Sequence, residues 1–214
     1  TTQPVTPQIT MPDNTKAPLT KLVIARYFYW FQADPDKDIP VENVYSNDGT
    51  YIMQDIPAFG VGPWFTYDRV QWHLDQLDAI NKAGIDIILP AYRGDKKSKA
   101  GYALKGLDCL VMALARLQND GKQLPRVGMY LDSYGIRLAY GRRPNLKDEE
   151  VRNSLYGMIK DFYNRIPPQF RASVQVSQSD PQDVGNVIFL GSARNFVDYD
   201  SSFIDYCNKR FTKD

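Results

Sequence analysis

Residues 78–92 read DAINKAGIDIILPAY. Val70, Leu74, Leu77 and Ile80 lead into this stretch at spacings of three and four, so one face of a helix is apolar. Gly84 supplies the left-handed stop, and Thr66 offers an N-cap. Ile85 to Tyr92 then runs apolar with little alternation, the pattern of a strand buried on both faces. A helix, a glycine and a buried strand make the second half of a βαβ unit.

The same unit recurs on either side. Leu22–Phe31 (LVIARYFYWF) is a β-branched and aromatic strand. A long stretch, 32–65, rich in Asp, Pro, Gly and aromatics, shows no helical period and reads as a long loop, of a length that is usually functional or disordered. Leu104–Gln118 is helical and ends at Gly121, and Arg126–Leu131 is a third strand. Asn145 offers a cap to a helix carrying Val151, Leu155, Ile159 and Phe162, which Pro167 and Pro168 close. Phe170–Val176 fits no single pattern, and Ser177–Gly185 is loop-like. Val187–Leu190 is the fourth strand, and Asp200 caps a last helix through Phe203, Tyr206 and Cys207 to about Phe211.

Two architectures fit four strand–helix repeats: an open doubly wound sheet, or the first half of a closed barrel. No Gly-rich phosphate turn follows any strand. The first strand leads into Gln32-Ala33-Asp34-Pro35, which removes the main positive sign of a dinucleotide fold. The expectation is therefore an α/β chain of the (β/α)8 TIM-barrel type, holding the first four βα units over residues 21–214. Residues 1–20, rich in Thr, Pro and Gln, read as an extended linker of the kind frequent in secreted modular proteins, which suggests an extracellular or cell-surface setting.

Composition closes off several functions. Basic and acidic residues number 26 and 25, and the densest basic cluster, Lys96, Lys97 and Lys99, has Asp95 beside it, so no nucleic-acid partner is expected. No apolar run is long enough for a membrane span. One histidine, His73, and two cysteines, Cys109 and Cys207, with no C-x-x-C spacing, offer no metal site. No cofactor is implied. Both cysteines lie in helical patterns and read as buried free thiols, with a disulfide between them as the alternative; His73 reads as a surface or helix-packing residue. There is no G-x-S-x-G, and Glu149–Glu150 fall in a first helical turn, where the helix dipole explains them.

In either architecture ligands sit at the carboxyl ends of the strands. Those ends bring Trp30 and Gln32, then Tyr92 and Arg93, then Asp132 and Tyr134, then Asn195, with Trp64 added by the long loop. Aromatic faces stack on sugar rings, while the polar groups pair with hydroxyls. Trp30, Gln32, Trp64, Tyr92, Arg93, Tyr134 and Asn195 are thus candidate sugar-binding residues. Asp132, an acid ending a buried strand, is the candidate catalytic residue; the alternative is a buried carboxylate that caps a neighbouring loop.

The first strand VIARYFYWF, the phrase DAINKAGIDIILPAY and the third strand VGMYLDSY resemble glycoside hydrolase family 99 and its uncharacterised relatives. The resemblance covers about residues 21–212 and implies a sugar-handling (β/α)8 barrel. That family's third strand ends with an acid in an I-E-P-Y context, a place taken here by Asp132, with Ser133 where the proline stands. The family's pair of catalytic glutamates belongs to later strands and has no counterpart in this chain. The resemblance therefore implies part of a glycoside-hydrolase-like barrel that binds and hydrolyses extracellular polysaccharide. Its partner would be a complementary carboxyl-terminal half, in the same polypeptide or a second chain. The alternative is a non-catalytic carbohydrate-binding or structural subunit on a degenerate barrel.

Overall fold

The computed structural model describes residues 22–29, 32–33, 65–94, 101–175 and 184–211. Its framework is a mostly parallel sheet with helices packed on it. The strands in chain order are β1 (Ile24–Tyr27), β2 (Gln32–Ala33), β3 (Phe65–Thr66), β4 (Ile87–Tyr92), β5 (Arg126–Val127), β6 (Met129–Leu131), β7 (Ser173–Gln175), β8 (Val184–Asn186) and β9 (Ile188–Leu190). The helices are α1 (Val70–Lys82), α2 (Gly101–Asn119), α3 (Tyr134–Tyr140), α4 (Glu149–Arg165) and α5 (Ser202–Phe211).

The main sheet runs β1-β4-β6-β9, with every neighbouring pair parallel. The four strands read from the sequence are thus adjacent in sequence order, as expected. The ladder between β4 and the third strand lapses opposite Gly128. Ile88 pairs with Val127, and pairing resumes at Ala91 with Tyr130. Pro90 lies in the gap, and a proline has no N–H to give a ladder. Every residue of β4 is buried, as a central strand covered on both faces requires.

One sheet face meets the helices. Ile88, Met129 and Leu131 pack with Leu77 of α1, Leu107, Leu110 and Leu114 of α2, and Leu155, Ile159 and Phe162 of α4. α1 lies against α2, α2 against α4, and α4 against α5. The opposite face is smaller and partly open. Ile87, Leu89 and Ala172 cluster there with Tyr130 and Val187. Arg26 lies 4.1 Å from the Tyr130 ring centre and 4.7 Å from that of Phe28. Tyr130 stacks on Phe189 at 5.5 Å, and Phe189 remains 56% exposed. Gly191 is required beside it, since a Cβ there would stand 2.5 Å from the Tyr130 ring.

Both helix stops behave as read. Gly84 and Gly121 have φ of 70° and 66°, and the N–H groups of Gly84 and Ile85 turn back to Asn81 and Ile80. Two helix starts differ from the sequence expectation. Thr66 belongs to β3, paired with Gln32, and α1 begins only at Val70 after a turn in which the Thr66 hydroxyl donates to Asp68. Asn145 accepts from the Lys147 N–H in a turn before α4, whose N-cap position is Asp148. Asp200 does receive the Ser202 N–H at the start of α5. The ambiguous 170–176 stretch contributes β7, paired antiparallel with β8. Helix α3 was not foreseen. The ends of the long loop are joined by the β2–β3 ladder. Residues 34–64, the linker 1–20 and the lysine cluster lie outside the described residues.

Candidate functional site

The carboxyl end of β6 gathers the polar groups. The strand's last rung is the Asp132 N–H on the Tyr92 carbonyl. Arg93, one residue past β4, reaches across to Asp132, placing Nε at 3.1 Å and Nη2 at 3.0 Å from Oδ2. Oδ1 accepts the Tyr134 N–H at 3.0 Å, closing the turn that starts α3. Both oxygens therefore accept N–H donors, the arrangement of a carboxylate held in place rather than of an acid offering a proton. The pair is mostly shielded from water, with side-chain exposures of 21% for Arg93 and 13% for Asp132.

The approach depends on a glycine. A Cβ on Gly135 would lie 2.4 Å from the Arg93 carbonyl oxygen and 2.6 Å from its Cγ. Only hydrogen there lets α3 start against Arg93. Tyr134 stands beside it, about two-fifths exposed, with Arg93 5.3 Å and Arg137 5.9 Å from its ring centre.

Asn195 joins from the end of β9. Its amide donates to the Ser133 hydroxyl at 2.9 Å, and that hydroxyl donates to the Ser192 carbonyl at 2.9 Å. Both side chains are buried, so the chain of bonds ties the two strand ends together. Arg143, past α3, donates to the Phe196 carbonyl and adds a second tie.

Of the residues picked from sequence, Arg93, Asp132, Tyr134 and Asn195 are thus brought to one corner. Tyr92 goes the other way and is corrected. It is fully buried, its ring edge-on to Phe162 and its hydroxyl bonded to Asp161 of α4. Alternation along β4 sends it to the helix layer while its neighbour Arg93 turns across to Asp132. It therefore shares no ligand pocket with Asp132. Gln32 pairs through its backbone in β2; Trp30 and Trp64 lie outside the described residues. Gly135 and Arg137 were missed because they lie inside a helix too short for a hydrophobic period, while Ser133 stands just before it, at the third strand's end.

His73 is a core residue, the helix-packing half of its reading. Its Nδ1 accepts the Tyr27 hydroxyl at 2.7 Å and its Nε2–H donates to the Tyr67 carbonyl at 2.8 Å. Burial lowers it to about 4. Cys109 and Cys207 are buried and free, and burial pushes the Cys207 thiol up to about 11. Among the described residues no three His, Cys, Asp or Glu side chains gather as metal ligands, and no helix is long and apolar enough to cross a membrane.

No family model, curated protein or solved structure matches the chain.

Proposed function

We propose that this chain is the first half of a (β/α)8 barrel of the glycoside hydrolase family 99 type, acting on extracellular polysaccharide at its strand mouth. One observation carries the reading: Arg93, Asp132, Tyr134 and Asn195, from the ends of three neighbouring parallel strands, stand together at the end where such sheets bind ligands. Strand order supports the barrel over the doubly wound alternative. A doubly wound sheet reverses its order at a switch point, and β1-β4-β6-β9 does not reverse. The half-open aromatic sheet face supports it too, since a barrel encloses that face with four further strands. Those strands are the complementary half, in the same polypeptide or a second chain.

In this reading Asp132 is the fixed carboxylate that contacts sugar hydroxyls near the reacting centre, and Tyr134 offers an aromatic edge. Glycoside hydrolysis needs a second carboxyl group. Among the described residues Asp132 bonds Arg93 and the Tyr134 N–H and no second carboxyl group, so in this reading the proton donor comes from the complementary half. The same observation favours a second reading, a carbohydrate-binding barrel without catalysis.

Affinity electrophoresis through gels of soluble polysaccharides tests the binding, and release of reducing ends tests turnover. At least one polysaccharide should retard the chain, and Asp132→Asn should remove that retardation while a thermal melt confirms folding. Retardation by none overturns the carbohydrate reading.

A further inference from the structure

The charge balance of the whole chain is close to even, with 26 basic and 25 acidic residues. The strand mouth departs from it. Between Ser133 and Lys147 stand Arg137, Arg142, Arg143 and Lys147 and no acid, and the segment after β9, from Gly191 to Val197, adds Arg194 and no acid. Some of this charge is answered locally. Arg93 holds Asp132, and Lys147 sits between Asp198 and Asp200 at 3.0 and 3.5 Å. Arg143 spends its hydrogen bond on a backbone carbonyl, which leaves its charge unneutralised. Arg137, Arg142 and Arg194 are exposed and form no ion pair with a described acid.

Arg137 stands at the site, and Arg142 and Arg194 lie in the segments that follow β6 and β9. Arg137 lies on α3 beside Tyr134, the left-handed Gly141 ends α3 directly before Arg142, and Arg194 precedes the Asn195 that bonds Ser133. All the uncompensated charge here is arginine. A guanidinium matches a carboxylate or a sulfate with two parallel N–H bonds, which an ammonium cannot do.

We propose that the polysaccharide taken at this mouth is anionic, with carboxylate or sulfate groups met by Arg137, Arg142 and Arg194 while Asp132 and Tyr134 engage the sugar ring. The inference rests on the carbohydrate reading above and names its substrate class. It differs from a general basic patch because Arg137 stands 5.9 Å from the half-exposed Tyr134 ring, whose other neighbour, Arg93, holds Asp132; a sugar on that ring would have its anionic groups within reach of arginine.

The test is affinity electrophoresis of the chain in gels containing polygalacturonate, dextran sulfate, unsubstituted dextran or duplex DNA. Polygalacturonate or dextran sulfate should bind roughly tenfold more tightly than dextran, and which of the two does so identifies the anion. Arg137→Gln, Arg142→Gln and Arg194→Gln should each weaken that binding roughly threefold, the scale of one exposed charge pair. Tyr134→Ala should weaken it further without changing its salt dependence, and thermal melts check that each variant folds. Equal or tighter binding to dextran overturns the anionic class and leaves the carbohydrate reading standing. DNA bound as tightly as the anionic polysaccharides, or binding indifferent to all three arginine substitutions, also overturns it. Retardation in none of the gels, nor by other neutral polysaccharides, overturns both.

Discussion

At the residue scale, His73 shows how burial converts a titratable group into a stability term. Its two ring nitrogens are both satisfied in the neutral form, one by the Tyr27 hydroxyl and one by the Tyr67 carbonyl. The folded value is about 4 against an ordinary 6.5. Between those values the unfolded chain binds a proton that the folded chain refuses. Stability is therefore intact above pH 6.5 and falls as the pH drops toward 4, by at most roughly 3 kcal/mol. Chemical denaturation across that range should show the slope, and His73→Gln should flatten it; an unchanged slope would place the acid sensitivity elsewhere. Tyr27→Phe should cost about 1–2 kcal/mol by leaving Nδ1 without its donor. Sequence placed His73 on a helix but not its partner, because Tyr27 is 46 residues away and the pairing exists only once β1 and α1 pack. Gly135 is legible to the same extent. Nothing local marks it, yet Gly135→Ala should cost about 1–3 kcal/mol through its clash with Arg93. It should also weaken any ligand that needs the Arg93–Asp132 pair.

At the element scale, glycines separate into stops and passengers. Gly84 sits at φ 70° with open space around its missing Cβ, so conformation alone opposes a side chain. Gly84→Ala should cost about 1 kcal/mol. Gly157 lies inside α4, also with nothing within 4 Å, and its φ is not positive. Gly157→Ala should raise stability by about 0.5–1 kcal/mol, because helical glycine carries only an entropic penalty. Opposite shifts in the two thermal midpoints are the expected result; two losses would mean that α4 tolerates no side chain at that position. Helix ends and buried strands were legible because glycine conformation and apolar runs are local properties. Helix starts were less so: Thr66 looks like a cap in isolation, but Gln32 claims its backbone across the chain. The same long-range logic hid β7, whose partner β8 begins nine residues after β7 ends.

At the scale of the whole molecule, the two faces of the sheet differ in how finished they are. The helix face buries Ile88, Met129 and Leu131 completely or nearly so. The other leaves Ile24, Phe28 and Phe189 at 46%, 36% and 56% exposure. Arg26 is held above the rings of Phe28 and Tyr130, which keeps a charge within an otherwise apolar surface. Apolar surface of this kind drives association. β1 and β9 end the described sheet, and open strand edges add backbone groups that another chain can pair with. The chain at high concentration should therefore associate, and sedimentation velocity should show species above 24.5 kDa. Phe28→Ser with Phe189→Lys should shift the distribution toward monomer without lowering the melting temperature, since both residues lie away from the helix-face core. Adding a chain that carries four complementary strands should have a similar effect on self-association, by covering the face instead of removing it, and should raise the melting temperature as well. A monodisperse monomer whose melt is indifferent to both substitutions would mean that this face is complete as it stands. The half-barrel reading would then fail at the level of the fold, whatever the strand mouth proved to bind.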